Sequence, residues 1–224
     1  MRLPASSYCH NMAAQPSRRS AHKQLPRGVR EQQILDAAVQ VFSRRGYHAA
    51  SMREIAELAA ISKPMVYAYL GNKEELFVAC LRREGARVMA AVAEVAPFDF
   101  DGPVEMQFHR GLRAFFRFVA EHRDTWAVLH NQGRRQEPFG SVIAEIRLRW
   151  IEAIAAGLRK GTSAEPDVLP AAYAIAGAAE SVADWLVEQE EGDPERLADR
   201  LAALLWGGFA PDFRDLGRPL SPRR

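Results

Sequence analysis

The chain has 224 residues, 48% of them hydrophobic and 26% charged, which fits one sizeable globular domain or two small ones sharing a core. That balance excludes a fibrous or wholly disordered chain, and no apolar run approaches the roughly 20 residues of a membrane span. The formal net charge of +2 hides a split: residues 18–73 hold ten Lys and Arg against four Asp and Glu, whereas residues 74–224 are acidic overall, as expected of a polyanion-binding head on a differently employed body.

Two cysteines, Cys9 and Cys80, make neither a disulfide framework nor a metal-ligand spacing, so no metal and no cofactor are expected. The opening residues MRLPASSYCH lack the apolar stretch of a secretory signal, and the expected location is cytoplasmic.

Residues 1–27, rich in Ser, Pro, Arg and Gln without helical periodicity, read as a flexible basic arm. From Val29 the pattern changes: Ile34, Leu35, Ala38, Val41 and Phe42 form one apolar helical stripe, which Gly46 stops. Ser51-x-x-Glu54 fits a capping box opening a second helix, with Met52, Ile55, Ala56 and Ala59 inward. Ser62 is positioned to cap a third helix that carries Pro64 in its tolerant first turn. Gly71 breaks it, and Asn72-x-x-Glu75 caps a long fourth helix over residues 73–96, ended before Pro97.

The remainder is helical as well. A helix at about 103–122 places Phe108, Leu112, Phe115, Phe116 and Val119 inside, and further helices are expected near 124–133, 138–160, 167–190 and 193–208. No strand-like alternation and no internal repeat appear, so the fold class is all-α, with about nine helices. The domain reading is an arm at 1–27, a head at 28–73, a body at 74–210 and a C-terminal tail at 211–224.

The stretch REQQILDAAVQVFSRRGYHAASMREIAELAAISKPMVYAYLGNKEELF, within about residues 28–88, resembles the DNA-binding domain of the TetR family of transcriptional regulators. The resemblance rests on spaced elements that agree in order: IL-x-AA-x-x-x-F, Gly46-Tyr47, S-M-R-E-I-A, S-K-P-x-V-Y-x-Y and N-K-E-E-L. It implies a helix-turn-helix, with Ser51–Leu58 as supporting helix and Lys63–Leu70 as the recognition helix that enters a major groove. The DNA-contacting positions it implies are Ser51, Met52, Arg53, Lys63, Pro64, Met65, Tyr67, Ala68, Tyr69 and Lys73. Read from chemistry, the Tyr67 and Tyr69 hydroxyls donate to phosphate, Arg53 reaches a base edge or a phosphate, and Lys73 sits at a helix start that favours phosphate. Two positions depart from the family pattern: Ala60 stands where the turn usually has Gly, and Leu70 where an aromatic is common.

One helix-turn-helix reads few bases, so the expected partner is a palindromic double-stranded DNA operator bound by a homodimer. The small-residue-rich AAYAIAGAAESVADWLVEQ and the apolar LADRLAALLWGGF are the candidate interface helices, with Trp185, Leu201, Leu205 and Trp206 as candidate contacts. Phe108, Phe115, Trp126 and Trp150 are candidate contacts for a small apolar effector inside the bundle, with His109, His122 and His130 as polar handles; each of these also reads as plain core or surface. The leading function is an effector-released repressor. An activator or ligand-independent regulator, a non-specific DNA-binding scaffold and an all-α enzyme are the alternatives, although no E-x-x-H, H-E-x-x-H or G-x-S-x-G pattern supports the last.

Overall fold

The computed structural model describes residues 26–97, 101–132, 138–160, 167–189 and 191–209. The arm at residues 1–25 with Cys9, and the tail at 211–224, lie outside the described residues. Among those described, the order is α1 (Arg27–Ala49), α2 (Met52–Leu58), α3 (Lys63–Leu70), α4 (Lys73–Val95), α5 (Val104–Glu121), α6 (Arg123–Trp126), a π-helical segment (Ala127–Gln132), α7 (Gly140–Lys160), α8 (Leu169–Glu188) and α9 (Pro194–Phe209). No strand occurs among them.

The start and stop signals act locally and can be followed one by one. Gly46 adopts φ 76°, so the regular part of α1 ends there and Tyr47–Ala49 form a separate turn. Asn72 and Glu75 form the complete capping box: Glu75 N donates to Asn72 Oδ1 at 2.9 Å, and Asn72 N donates to Glu75 Oε2 at 2.8 Å. Ser51 realises half of its box. Its hydroxyl accepts from Glu54 N at 3.1 Å, while the Glu54 carboxylate turns to Arg45 Nε at 3.4 Å. Ser62 makes no side-chain cap; its carbonyl instead accepts from Met65 N and Val66 N, and Pro64 supplies the stiff first turn.

The helix expected at 124–133 is one turn of α-helix followed by the π segment. The wider turn of a π-helix lets the consecutive residues Val128, Leu129 and His130 all be buried.

One apolar core runs from the head into the body, and a second cluster, with Ile151, Ala155, Leu158 and Ile175, holds α7 against α8. Ile34, Leu35, Ala38, Val41 and Phe42 are buried as expected, and Ala37 and Val39 are buried too, because α6 and the π segment cover α1 opposite α2 and α4. Phe77 of α4 meets Phe42 at 4.8 Å between centroids and Phe139 at 4.6 Å, so one aromatic cluster joins α1, α4 and the entry to α7. Cys80 lies fully inside this core, where burial pushes its thiol pKa up and leaves it unreactive.

One charge sits in the middle of this apolar joint. Glu84 of α4 is fully buried, and its carboxylate accepts from Arg83 Nε at 2.6 Å, Arg87 Nη1 at 2.8 Å and Thr125 Oγ1 at 2.6 Å. Arg83 reaches on to α1, donating to Asp36 Oδ1 at 2.7 Å and to the Gln32 carbonyl at 3.3 Å. Helices α1, α4 and α6 are therefore tied through one carboxylate. Removing it leaves buried donors without their acceptor, so Glu84→Ala is expected to destabilise the protein by about 3 kcal/mol in urea unfolding. A loss below about 1 kcal/mol would mean that the joint does not depend on it.

Candidate nucleic-acid interface and effector cavity

The turn between α2 and α3 decides how the recognition helix is presented. Ala60 N donates to the Glu57 carbonyl at 3.1 Å and Ile61 N to the Ala56 carbonyl at 3.0 Å, the pair of bonds of a Schellman turn. Ala60 takes the left-handed position that this motif requires, with φ 53°. Gln33 of α1 supports the turn from outside, its Nε2 donating to the Ala59 carbonyl at 3.0 Å. The departure from glycine is thus accommodated at the cost of a strained alanine rather than by a different turn.

Val66 is fully buried and fixes the inner face of α3; Leu70 and Tyr69 are half-buried. Lys63, Pro64, Met65, Tyr67 and Ala68 form the exposed face, with the Lys63 ammonium 5.8 Å from the Tyr67 ring centroid. Ser51 and Arg53 flank this face from α2 and are exposed. Arg53 is held by Glu57, Nε to Oε1 at 2.8 Å, and this hydrogen bond raises the guanidinium pKa. Tyr69 turns toward Arg27 of α1, whose guanidinium lies 5.7 Å from the ring centroid.

Met52 is placed otherwise than expected, and Lys73 has a partner within the head. Met52 is 6% exposed and packs in the core of the head, so its side chain does not stand on the outer surface. Lys73 does not stand free: its Nζ donates to the His48 carbonyl at 2.9 Å and lies 4.8 Å from the Tyr47 ring centroid, and burial lowers its pKa. It ties the start of α4 to the turn after Gly46.

A cavity of about 160 Å³ lies between α4, α5, α7 and α8. Phe108, Phe115 and Trp150 line it together with Val88, Val92, Leu112, Ile154 and Ile175; the polar residues among its walls are Gln107 and Glu180. Trp126 does not line it. Its indole is 1% exposed, stacks on His130 at 4.0 Å and donates to Asp184 Oδ1 at 2.9 Å. The three histidines also lie outside the walls: His130 Nδ1 is 3.2 Å from Asp184, His109 Nε2 is 3.0 Å from Asp199, and His122 stacks on Phe118.

Two glycines in the walls, Gly111 and Gly157, escaped the sequence reading. Glycine in a helix interior costs about 1 kcal/mol against alanine, which is the signal that could have flagged them. A methyl added at Gly157 would meet only Gln107 Oε1, at 3.9 Å.

On the far side, Trp185, Tyr173 and Leu204 are exposed, at 52%, 46% and 73%. Of the expected interface residues, Leu201 is buried within its own chain, because α9 turns that side onto α5. Leu205 and Trp206 are half-buried, Trp206 beside Phe108 at 6.1 Å. Arg113 locks α9 in place with two bonds of 2.7 Å to Asp199, whose pKa it holds below the usual carboxylate range.

The family model for "Bacterial regulatory proteins, tetR family" matches residues 34–80, and that for a "Tetracyclin repressor-like, C-terminal domain" matches residues 104–208. A crystal structure of a TetR-like transcriptional regulator from Rhodococcus sp. RHA1 is 45% identical, covers 84% of this chain and 99% of its own, and superposes with a TM-score of 0.70. The chain belongs to the TetR family. It is a transcriptional regulator with a DNA-binding helix-turn-helix.

Two other relatives of this TetR-family chain are informative. The HTH-type transcriptional activator FasR of Mycolicibacterium smegmatis is 28% identical over 191 residues, 83% of this chain and 85% of that protein. The fatty acid degradation regulator FadR of Bacillus halodurans is 25% identical, covers 79% of this chain and 98% of its own, with a TM-score of 0.69. The first family model ends at residue 80, within α4, and the second begins at residue 104, with α5, so the rest of α4 bridges the two matched regions. Among the described residues no cluster of His, Cys, Asp and Glu could hold a metal ion, and no helix is long and apolar enough to cross a membrane.

The strain at Ala60 yields a direct test. Ala60→Gly removes the Cβ clash of the left-handed conformation but makes the unfolded chain looser. The first effect is the larger, so the variant should gain about 0.5–1 kcal/mol, read as a rise of about 1–4 °C in melting temperature. An unchanged or lower melting temperature would show that the turn relaxes around alanine.

Proposed function

We propose that this TetR-family regulator binds a palindromic double-stranded DNA operator as a homodimer and represses until a small apolar effector enters the cavity. The observation that carries the reading is the position of α4. Its first turn is tied to the head by Lys73, and its last turns supply Val88, Met89 and Val92 to the cavity wall. A ligand that prefers one tilt of this helix shifts the population of head positions by its differential affinity. The exposed Lys63, Pro64, Met65, Tyr67 and Ala68 make the groove-facing surface, flanked by Ser51 and Arg53. The exposed Trp185, Tyr173 and Leu204 on α8 and α9 make the partner-facing surface.

The apolar lining supports an effector built mostly of hydrocarbon, and the Bacillus halodurans relative, a fatty acid degradation regulator, agrees with that chemistry. Activation is the second reading, favoured by the activator name of the Mycolicibacterium smegmatis relative. A reporter gene behind the operator distinguishes the two by the sign of its response.

Selection of bound duplexes from a random pool should return a two-fold symmetric sequence. On it, Lys63→Ala and Tyr67→Ala should each weaken binding about tenfold in gel shifts. The pair Trp185→Glu and Leu204→Arg should yield a monomer by sedimentation and lose the two-fold preference. Wild-type affinity in both head variants would place the contact surface elsewhere.

The cavity has the scale of engineered apolar cavities of about 150 Å³ that take up benzene, so small probes suit it. Buffer saturated with n-heptane should raise the wild-type melting temperature by about 1–3 °C. Gly157→Leu, which fills the cavity from α7, should abolish that rise. A rise retained in the variant would mean that hydrocarbon binds at another site.

A further inference from the structure

One residue of the cavity wall, Trp150, carries a polar atom that the fold itself does not use. Trp150 Nε1 is buried and has no hydrogen-bond partner. An unpaired buried N–H costs about 1–3 kcal/mol, and native structures seldom keep one without a use. The neighbouring polar wall groups are engaged. Glu180 of α8 accepts from Arg147 Nε, at 2.9 and 3.0 Å, one turn before Trp150 on α7, and Gln107 Nε2 donates to the Pro97 carbonyl at 2.9 Å. Trp150 is itself kept in place: its ring lies nearly parallel to that of Trp126, 6.5 Å away, and Trp126 is anchored through Asp184. The donor is thus carried on a fixed ring of a residue that lines an otherwise mostly hydrocarbon-walled space.

Resting on the effector-cavity reading above, we infer that Trp150 Nε1 is the specificity-determining donor of the cavity, and that the effector is an elongated apolar molecule ending in an uncharged acceptor such as a carbonyl. An acceptor there satisfies the indole N–H, which water in so apolar a space would not do with its usual three partners. A carboxylate is disfavoured at the same place. It would surrender its hydration and stand in the same cavity as the Glu180 carboxylate, whose charge Arg147 already matches. The Trp150 N–H sets which end of the ligand lies beside α7, and the apolar walls set how much chain follows it.

The test compares three probes of equal length, n-heptane, 2-heptanone and heptanoate, on the full chain by calorimetric titration. Wild type should bind 2-heptanone more tightly than heptanoate, and Trp150→Phe, which keeps a ring but removes the donor, should lower the ratio of 2-heptanone to n-heptane affinity about tenfold. A second reading needs no variant to fold. In ¹⁵N-tryptophan-labelled wild-type protein, the indole proton of Trp150 should move downfield with 2-heptanone and not with n-heptane. An unchanged affinity ratio in Trp150→Phe, an unmoved Trp150 resonance, or heptanoate binding as tightly as the ketone overturns the inference while n-heptane binding leaves the cavity reading standing. Absence of binding by n-heptane and 2-heptanone alike overturns both.

Discussion

The Glu84 carboxylate is the point on which the head and body depend, because a buried anion tolerates few alternative surroundings. Its oxygens are satisfied by Arg83, Arg87 and Thr125, and Arg83 extends the arrangement to Asp36 and Gln32 of α1. An apolar joint of the same volume can slide, since one methyl replaces another with small loss. A hydrogen-bonded carboxylate cannot slide without abandoning donors in a medium that offers no water. Such pairs add little net stability against a well-packed apolar substitute; what they supply here is a defined register between α1, α4 and α6. The aromatic cluster of Phe42, Phe77 and Phe139 adds bulk to the joint, and the ionic arrangement adds direction.

Most of the head was legible because its signals are local. Gly46, Asn72 with Glu75, and Pro64 each act within a turn of where they stand, and α1 to α4 start and stop within a few residues of the positions they mark. Ala60 was visible as a departure, and its left-handed φ is the form that departure takes. The failures have a common cause. Periodicity says which side of a helix is apolar but not what lies opposite, so Trp126 was assigned to a cavity that it backs from behind, and Leu201 to an outer face when it packs on its own chain. Met52 was placed on both sides at once, and burial decides for the core. Lys73 was read as a phosphate contact, and its bond to the His48 carbonyl could not be foreseen because that acceptor is a backbone atom presented by the turn after Gly46. Glu84 was unreadable for the same reason: between two arginines on a helix, a glutamate reads as solvated until Thr125 and the core close over it.

The cavity adds a different kind of lesson. Its walls are ordinary core residues, and what makes a space of them is the absence of side chain at Gly111 and Gly157 on facing helices. Small residues in helix interiors are usually read as sites of close approach, yet the nearest atoms to a Cβ built at either position lie at 3.8 Å or beyond, so these two leave room rather than bring backbones together. A void lined by hydrocarbon forfeits dispersion contacts and stabilises nothing while empty. The unpaired indole of Trp150 adds to the same cost. The body of the protein thus carries a local deficit where α4, α5, α7 and α8 meet, and the ionic tie at Glu84 stands one turn before the wall residue Val88 on α4.

The length of α4 turns this arrangement into arithmetic. From Val92 in the cavity wall to Lys73 at the head is 19 residues of one unbroken helix, or about 28 Å at 1.5 Å per residue. A rotation of only about 7° about the cavity end carries the other end through about 3.4 Å, the rise of one base pair. The tie at Glu84 binds α1 to α4, so on the effector-cavity proposal the head would follow the helix. On the same proposal, a displacement at the walls no larger than a bond length would be amplified into a mismatch of a whole step along the double helix.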